Sequence, residues 1–247
     1  MLKILPIRAP ILLLSHHKSS PRHREFKAIL FDLDGTLVEF KFKVKESRLA
    51  MIDLLAKKGF DQSGWNESSR TQEIIDQAEE QWKSSETLKK EGNDFEKIRG
   101  EIFRLLDNYE FDALSQARPH PGSIHILSRI KNAQLLSGIV TNSGRAPVDS
   151  VLSELGFEPY ISVLITRNEM EKLKPNPSGL VIAMNRLGVG PKHSLYVGDS
   201  VIDIEAARRA KVKCAAVSTG IYQEEALKKM SPDYLIKSLE ELEGIVL

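Results

Sequence analysis

The sequence predicts an α/β fold, a Rossmann-like parallel sheet with helices on both faces, carrying an inserted α-helical cap domain. Three observations point there. Short apolar runs alternate with segments of helical periodicity, the pattern of parallel strands covered on both sides by helices. Residues 39–118 interrupt that alternation with dense charge and no buried strand, and so long a stretch is not a simple strand–helix connection. The apolar runs also lead into four polar clusters, at the sheet edge where open α/β sheets bind ligands.

Residues 1–25 stand apart from the rest as a basic N-terminal extension without a fold of its own. Residues 1–27 carry a formal charge of +5 and the remaining chain −4. A secretory signal needs a continuous apolar region and a small-residue cleavage site. Here Pro6 and Arg8 break the apolar stretch before Ile11–Leu14. A targeting signal and a basic interaction arm are the alternatives. His16, His17 and His23 resemble a metal-binding cluster only weakly, with no thiol and no carboxylate but Glu25 close by.

The core begins at residue 26 and spans 26–38 and 119–247. Ala28–Asp32 reads as a buried strand, followed by Leu135–Thr141, Ile161–Thr166, Ser194–Gly198, Val212–Val217 and Asp233–Ile236. Helical spacing of apolar residues predicts helices over Gly122–Lys131, Ala146–Leu155, Pro177–Leu187, Val201–Ala210 and Glu224–Met230. Gly156, Gly188 and Gly190 fall where C-caps are expected. Within the insert, Val44–Lys58, Thr71–Trp82 and Phe95–Leu106 read as amphipathic helices, and the chain rejoins the core near Arg118–Gly122.

Composition narrows the function classes. With 247 residues, 28% charged and 41% hydrophobic, the chain is neither wholly disordered nor collagen-like. No stretch of about 18 apolar residues predicts a membrane helix. The single cysteine, Cys214, excludes an internal disulfide and reads as a buried strand residue in VKCAAV. A mildly acidic body argues against broad nucleic-acid binding, and a cytoplasmic location is the default expectation.

The four clusters carry the chemistry. Asp32-Leu-Asp34-Gly-Thr36 closes the first strand; two carboxylates so close repel unless a cation or shared proton intervenes, and Mg²⁺ prefers such oxygen ligands. Thr141-Asn142-Ser143-Gly144 offers a hydroxyl, an amide and backbone N–H groups ahead of a helix, suited to an anion. Lys174, in Lys172-Leu-Lys174-Pro-Asn-Pro, is a positive charge on a support stiffened by proline. Asp199 closes another apolar strand and Asp203 follows one helical turn on. Four carboxylates ask for a metal, and the lysine and N–H-rich loop ask for an anion beside it. That is the equipment of phosphoryl transfer.

FDLDGTL, IVTNSG, KPNP and VGDSVID, in that order, resemble the four motifs of the haloacid dehalogenase-like hydrolase superfamily. The helical insert is similar to the cap of its phosphoglycolate phosphatase-like members. The resemblance implies a phosphatase using Mg²⁺ and an aspartyl-phosphate intermediate, acting on a small-molecule phosphate monoester. It implies Asp32 as nucleophile and Asp34 as general acid/base. It implies metal binding by the Asp32 and Asp199 carboxylates and the Asp34 backbone carbonyl, with Asp203 supporting from behind. Thr141 and Asn142 would bind the phosphoryl oxygens and Lys174 would offset their charge, with Lys172 as fallback. Dehalogenating members lack a carboxylate where Asp34 stands, and phosphatases usually show a residue like Thr36. A phosphomutase similar to β-phosphoglucomutase is the alternative, and a non-catalytic binding protein a more distant one. Lys45 and Arg48, early in the insert, are candidates for a second anionic group of the substrate. No nucleic-acid or membrane partner is expected.

Overall fold

A computed structural model describes residues 25–39, 42–90, 94–114, 116–220 and 222–247. The readings on the basic head and its three histidines lie outside the described residues. Strand β1 (Ala28–Phe31) is the centre of the design: all four residues are buried, which a run of AILF allows on both faces. It is flanked in a six-stranded parallel sheet by β4 (Leu136–Val140) and β6 (Ser194–Gly198), then β5 (Val163–Ile165) on one side and β7 (Lys213–Val217) and β8 (Tyr234–Ile236) on the other. Two-residue β2 (Val38–Glu39) and β3 (Arg118–Pro119) form a separate antiparallel pair where the insert leaves and rejoins the core. The chain moves outward from β1 through β4 to β5, then returns to β6 on the other side of β1. That reversal opens the crevice at the carboxyl ends where such sheets bind ligands.

The pleat divides the core in two. Ile29, Phe31, Ile139, Leu195, Val197 and Val217 face one layer, while Leu30, Val140, Tyr196, Cys214 and Ala216 face the other, as a side-chain period of two requires. The first layer is covered by α5 (Ser123–Asn132), α6 (Arg145–Glu154) and the short α10 (Glu243–Val246), through Ile126, Ile130, Val148 and Val246. The second is covered by α7 (Ser178–Leu187), α8 (Val201–Ala210) and α9 (Glu224–Lys229), through Leu180, Met184, Ile204 and Leu227. Each such side chain contributes roughly 1.5–3 kcal/mol by leaving water. Gly188 ends α7 in the left-handed conformation, φ 66°, and Gly156 does the same after α6, φ 70°. Gly190 departs from expectation: at φ −81° it is extended and precedes a 3-10 turn over Pro191–His193, because Gly188 has already ended the helix.

The segment between β2 and β3 is helical: α1 (Val44–Lys57), α2 (Thr71–Ser84), α3 (Glu86–Lys90) and α4 (Phe95–Leu114). The last helix runs eight residues past the expected Leu106. Its buried stripe continues through Leu106, Glu110 and Ala113, and the glutamate on that stripe hid the continuation. The insert has its own apolar cluster, with Met51, Leu55, Ile74, Ile98 and Ile102 at its centre. One member, Leu173, comes from the core loop that leads to Lys174. Among the described residues no helix is long and apolar enough to cross a membrane.

Candidate active site

Asp32 stands on the last rung of the sheet, its N–H donating to the Val197 carbonyl at 2.8 Å. Lys174 Nζ reaches it from the loop after β5, donating to Asp32 Oδ1 at 2.7 Å. The same ammonium donates to Asp203 Oδ1 at 2.7 Å and to the Tyr196 hydroxyl at 2.9 Å, so all three of its hydrogens have partners. Asp203 is placed by the start of α8. It is the third residue of a capping box, with its backbone N–H bonded to Ser200 Oγ and its Oδ2 bonded to the Ser200 N–H at 3.1 Å and to the Ser200 hydroxyl. With Lys174 and Tyr196 on its other oxygen, Asp203 has its lone pairs taken up by protein donors. It therefore holds the lysine, which in turn holds Asp32.

Asp199 follows β6. Thr36, fully buried, donates to Asp199 Oδ1 at 3.1 Å. The other oxygen lies against two glycines: a Cβ on Gly35 would come within 2.5 Å of Oδ2, and one on Gly220 within 1.7 Å. Gly35 also has φ +83°, which lets the chain turn sharply after the strand. Thr219 donates to the Gly35 carbonyl at 2.9 Å, so the loop after β7 closes over Asp199 from the other side.

Burial and mutual repulsion shape the ionisation of this cluster. Burial pushes the Asp32 carboxyl well above the usual range; Lys174 opposes it, and the carboxylates of Asp203, Asp199 and Asp34 add to it. Burial and then the Asp203 charge push Asp199 up to about 7. Lys174 stays protonated: burial alone would lower it, but Asp203 and Asp32 outweigh that. Burial likewise raises Asp34, against hydrogen bonding from Ser143. One ammonium is too little for four carboxylates. Asp32, Asp199 and Asp203 each bring an oxygen to within 4.8 Å of the others. An all-oxygen donor set, an excess of buried negative charge and a gap kept free by two glycines fit a divalent cation of the Mg²⁺ type.

The loop after β4 supplies the second half. The Thr141 N–H donates to the Ile165 carbonyl at 3.0 Å, continuing the sheet. Thr141 Oγ1 accepts from the Ser143 N–H at 3.1 Å. The Asn142 side chain is bonded within the protein. Its side-chain oxygen accepts from the Lys174 N–H at 2.8 Å and its amide donates to the Lys174 carbonyl at 3.2 Å, so it fixes the backbone that carries the lysine. Ser143, absent from the expected set, donates its hydroxyl to Asp34 Oδ2.

Sequence reasoning also missed a buried ionic group beside this loop. Arg167, 1% exposed, follows β5 and donates to Glu110 Oε1 at 2.6 Å, to Glu110 Oε2 at 3.0 Å and to Asp107. It also donates to the Asn142 carbonyl at 3.2 Å and the Phe103 carbonyl at 3.3 Å. Glu110 Oε2 in turn accepts from the Gly144 N–H at 2.9 Å. Two signals were there to read: Arg167 closes an apolar strand, as Asp32 and Asp199 do, and Glu110 sits on the apolar stripe of α4. The remaining candidates fall outside the carboxylate cluster. Lys172 pairs with Asp76 at 2.9 Å and Lys45 is an exposed neighbour of Glu67. Arg48 is half-buried, with one guanidinium nitrogen on the Glu67 carbonyl at 3.0 Å.

Comparison with known proteins places this geometry in context. A family model described as haloacid dehalogenase-like hydrolase matches residues 26–211. The chain is 30% identical to the pyrophosphatase PpaX of Oceanobacillus iheyensis, covering 89% of this chain and 96% of the relative. It is 28% identical to an N-acetylmuramic acid 6-phosphate phosphatase of Pseudomonas aeruginosa, covering 90% and 95%. Among solved structures, a predicted phosphoglycolate phosphatase from Haemophilus somnus superposes with a TM-score of 0.61 at 22% identity, covering 91% of this chain and 99% of that one. That likeness establishes the shared fold.

Proposed function

We propose, from the premise that this chain belongs to the haloacid dehalogenase-like hydrolase family, that it hydrolyses a small-molecule phosphate monoester through an aspartyl-phosphate on Asp32. In the first displacement an Asp32 carboxylate oxygen attacks phosphorus. The ester bond breaks, and Asp34 gives its proton to the departing alkoxide. In the second, Asp34 takes a proton from water, the water oxygen attacks the same phosphorus, and the acyl phosphate bond breaks to release inorganic phosphate and restore Asp32. Burial holds Asp34 above the usual carboxylate range, which suits a group that must carry a proton at the start of the cycle.

The other residues prepare these steps. Lys174 touches Asp32 at 2.7 Å and offsets part of the charge that gathers as a phosphate dianion meets a carboxylate. Thr141, at the end of β4, offers its hydroxyl to a phosphoryl oxygen, and Asn142 holds Lys174 in register. Mg²⁺ held by the Asp32 and Asp199 carboxylates and the Asp34 backbone carbonyl would supply the missing positive charge and polarise the phosphoryl oxygens. Asp203 would act behind it through Lys174. In this reading the choice among small phosphate esters falls to the insert, because the core binds only the phosphate. Arg99 ties the insert to the core through the Met170 and Glu171 carbonyls at 3.0 and 2.8 Å, beside the loop that carries Lys174. Neither nucleic acid nor membrane enters this reading, which assigns the protein to the cytoplasm.

The observation that carries the reading is the meeting of Asp32, Lys174 and Asp199 at one sheet edge from loops 142 and 167 residues apart in the chain. The test is a screen of phosphate monoesters with and without Mg²⁺, including phosphoglycolate, nucleoside monophosphates and sugar phosphates. Stoichiometric release of inorganic phosphate that requires Mg²⁺ is the expected result. Conversion of a sugar phosphate to its isomer with little free phosphate points to a mutase instead, and no turnover with any ester sinks the proposal.

A further inference from the structure

We infer that Glu110 and Arg167 are positioning residues through which the helical insert sets the loop after β4 and, by way of Ser143, the carboxyl of Asp34. This rests on the acid/base role proposed for Asp34 and goes beyond it, because it assigns to the insert a part in the proton transfer.

The connection is continuous and short. Glu110 lies on α4 and accepts the Gly144 N–H at 2.9 Å. Arg167 crosses the same place, its backbone N–H on the Ser143 carbonyl at 3.1 Å and its guanidinium on the Asn142 carbonyl at 3.2 Å. Ser143, gripped on both sides, donates its hydroxyl to Asp34 Oδ2. Asp34, Ser143 and Glu110 line one narrow recess together with Leu33 and Val148. Gly144 makes room for the arrangement: a Cβ there would stand 1.9 Å from Asp107 Oδ1 and 2.7 Å from an Arg167 nitrogen. Its φ of −75° is open to any residue, so close approach is what requires the glycine.

Stability alone is a weak reason for this group. Buried ion pairs seldom stabilise a fold more than apolar residues of the same volume, and here the Arg167 Nε is buried with no partner. An arginine that leaves one donor unpaired while its fork joins two helix carboxylates and the Phe103 helix carbonyl to the Asn142 loop carbonyl, and its backbone N–H holds the Ser143 carbonyl, is better explained by where it puts the loop. A displacement of a fraction of an ångström at Ser143 redirects the Asp34 carboxyl, and misplacing a catalytic group by 1 Å costs about a hundredfold in rate.

The experiment compares Glu110→Gln with wild type and Asp34→Asn on two aryl esters, 4-nitrophenyl phosphate and phenyl phosphate, with Mg²⁺ present. Nitrophenolate leaves without help, whereas phenolate needs the proton. The expected result is a loss of kcat/KM on the order of tenfold larger on phenyl than on nitrophenyl phosphate, with the pattern of Asp34→Asn reproduced in milder form; kcat/KM reads the step in which the leaving group departs, whereas the second displacement is common to both esters. Amide hydrogen exchange in peptides covering 141–146 should quicken in the variant, while the β7 peptide 213–217 stays protected. Equal losses on both esters, no loss, or unchanged exchange in 141–146 would each overturn the inference. Wild type that hydrolyses neither these esters nor any ester of the wider screen defeats the phosphatase reading instead, and the exchange result then decides the positional link by itself. Should Glu110→Gln fail to fold, Asp107→Asn loosens the same fork with no change of shape and is held to the same outcomes at smaller amplitude.

Discussion

Two buried clusters in this molecule share one plan, a cation set between two carboxylates. Lys174 lies between Asp32 and Asp203, and Arg167 between Asp107 and Glu110. They differ in what is left over. In the first, Asp203 is fully occupied by protein donors, while the Asp32 Oδ2 is bonded by no described residue. In the second, both oxygens of Glu110 are bonded, one of them to the Gly144 N–H. A point charge on a lysine steadies one carboxylate oxygen and leaves its fellow available to attack. A guanidinium fork takes up its partners and fixes geometry. The first arrangement suits reaction and the second alignment.

The largest effect should fall on the uncommitted oxygen. Asp32→Asn removes the proposed nucleophile, so phosphate release should drop by at least about 10³-fold. Circular dichroism should show the fold intact, because Lys174 keeps Asp203 and Tyr196. Near-normal turnover in that variant would break the contrast, since Asp32 would then be as structural as Glu110.

Next come the two cations themselves. Lys174→Met leaves Asp32 and Asp203 buried with no counter-charge, and Arg167→Met does the same to Asp107 and Glu110. Each should cost about 3–5 kcal/mol in chemical denaturation. Their kinetics should part: turnover that survives in folded Arg167→Met at a reduced level should be lost in Lys174→Met. Equal kinetic losses would mean that both cations serve the reaction directly.

How much of this was legible depended on whether neighbours in space are neighbours in sequence. Asp32 and Asp34, or Asp199 and Asp203, lie within one short motif at the end of an apolar strand, so local spacing gives both the element and the cluster. The parallel order of the sheet follows from the same alternation. Glu110 and Arg167 sit 57 residues apart on elements of different type, and no local pattern pairs them. Asn142 was found, but its side-chain bonds to the Lys174 backbone were not, because a sequence does not show that this backbone folds back onto its amide. Thr36 and Gly220 were invisible as supports of Asp199 for the same reason: they act through close approach across the sheet edge.

Gly220→Ala sharpens the reactive side of the comparison with a smaller effect. Its Cβ would meet Asp199 Oδ2 at 1.7 Å, so the carboxylate must leave its present position. If Asp199 holds the metal as proposed, the Mg²⁺ concentration for half-maximal activity should rise about 10–100-fold, the usual result of disturbing the support of a metal ligand. The Arg167 cluster, remote from that contact, predicts no change in the ratio of nitrophenyl to phenyl phosphate turnover at saturating Mg²⁺. An altered ratio would join the two clusters into one unit.

The smallest effect belongs to the aligning cluster and reads out in stability. Burial pushes Glu110 up to about 7, against the pull of Arg167 and the Gly144 N–H. A carboxyl raised on folding binds more protons in the native state than in the unfolded chain across the interval from its unfolded value to about 7. Stability from this group is therefore present below the unfolded value and lost as pH rises through the folded one. The contribution of Glu110 to the slope of unfolding free energy should be negative between pH 5 and pH 7 and no steeper than about 1.4 kcal/mol per unit, added to those of Asp32, Asp34 and Asp199, which are raised too. Glu110→Gln abolishes that titration, so its pH–stability curve should be flatter than wild type over the same interval. Parallel curves for the two proteins would show that Glu110 keeps its charge throughout, and that Arg167 balances it as fully as Lys174 fails to balance Asp32.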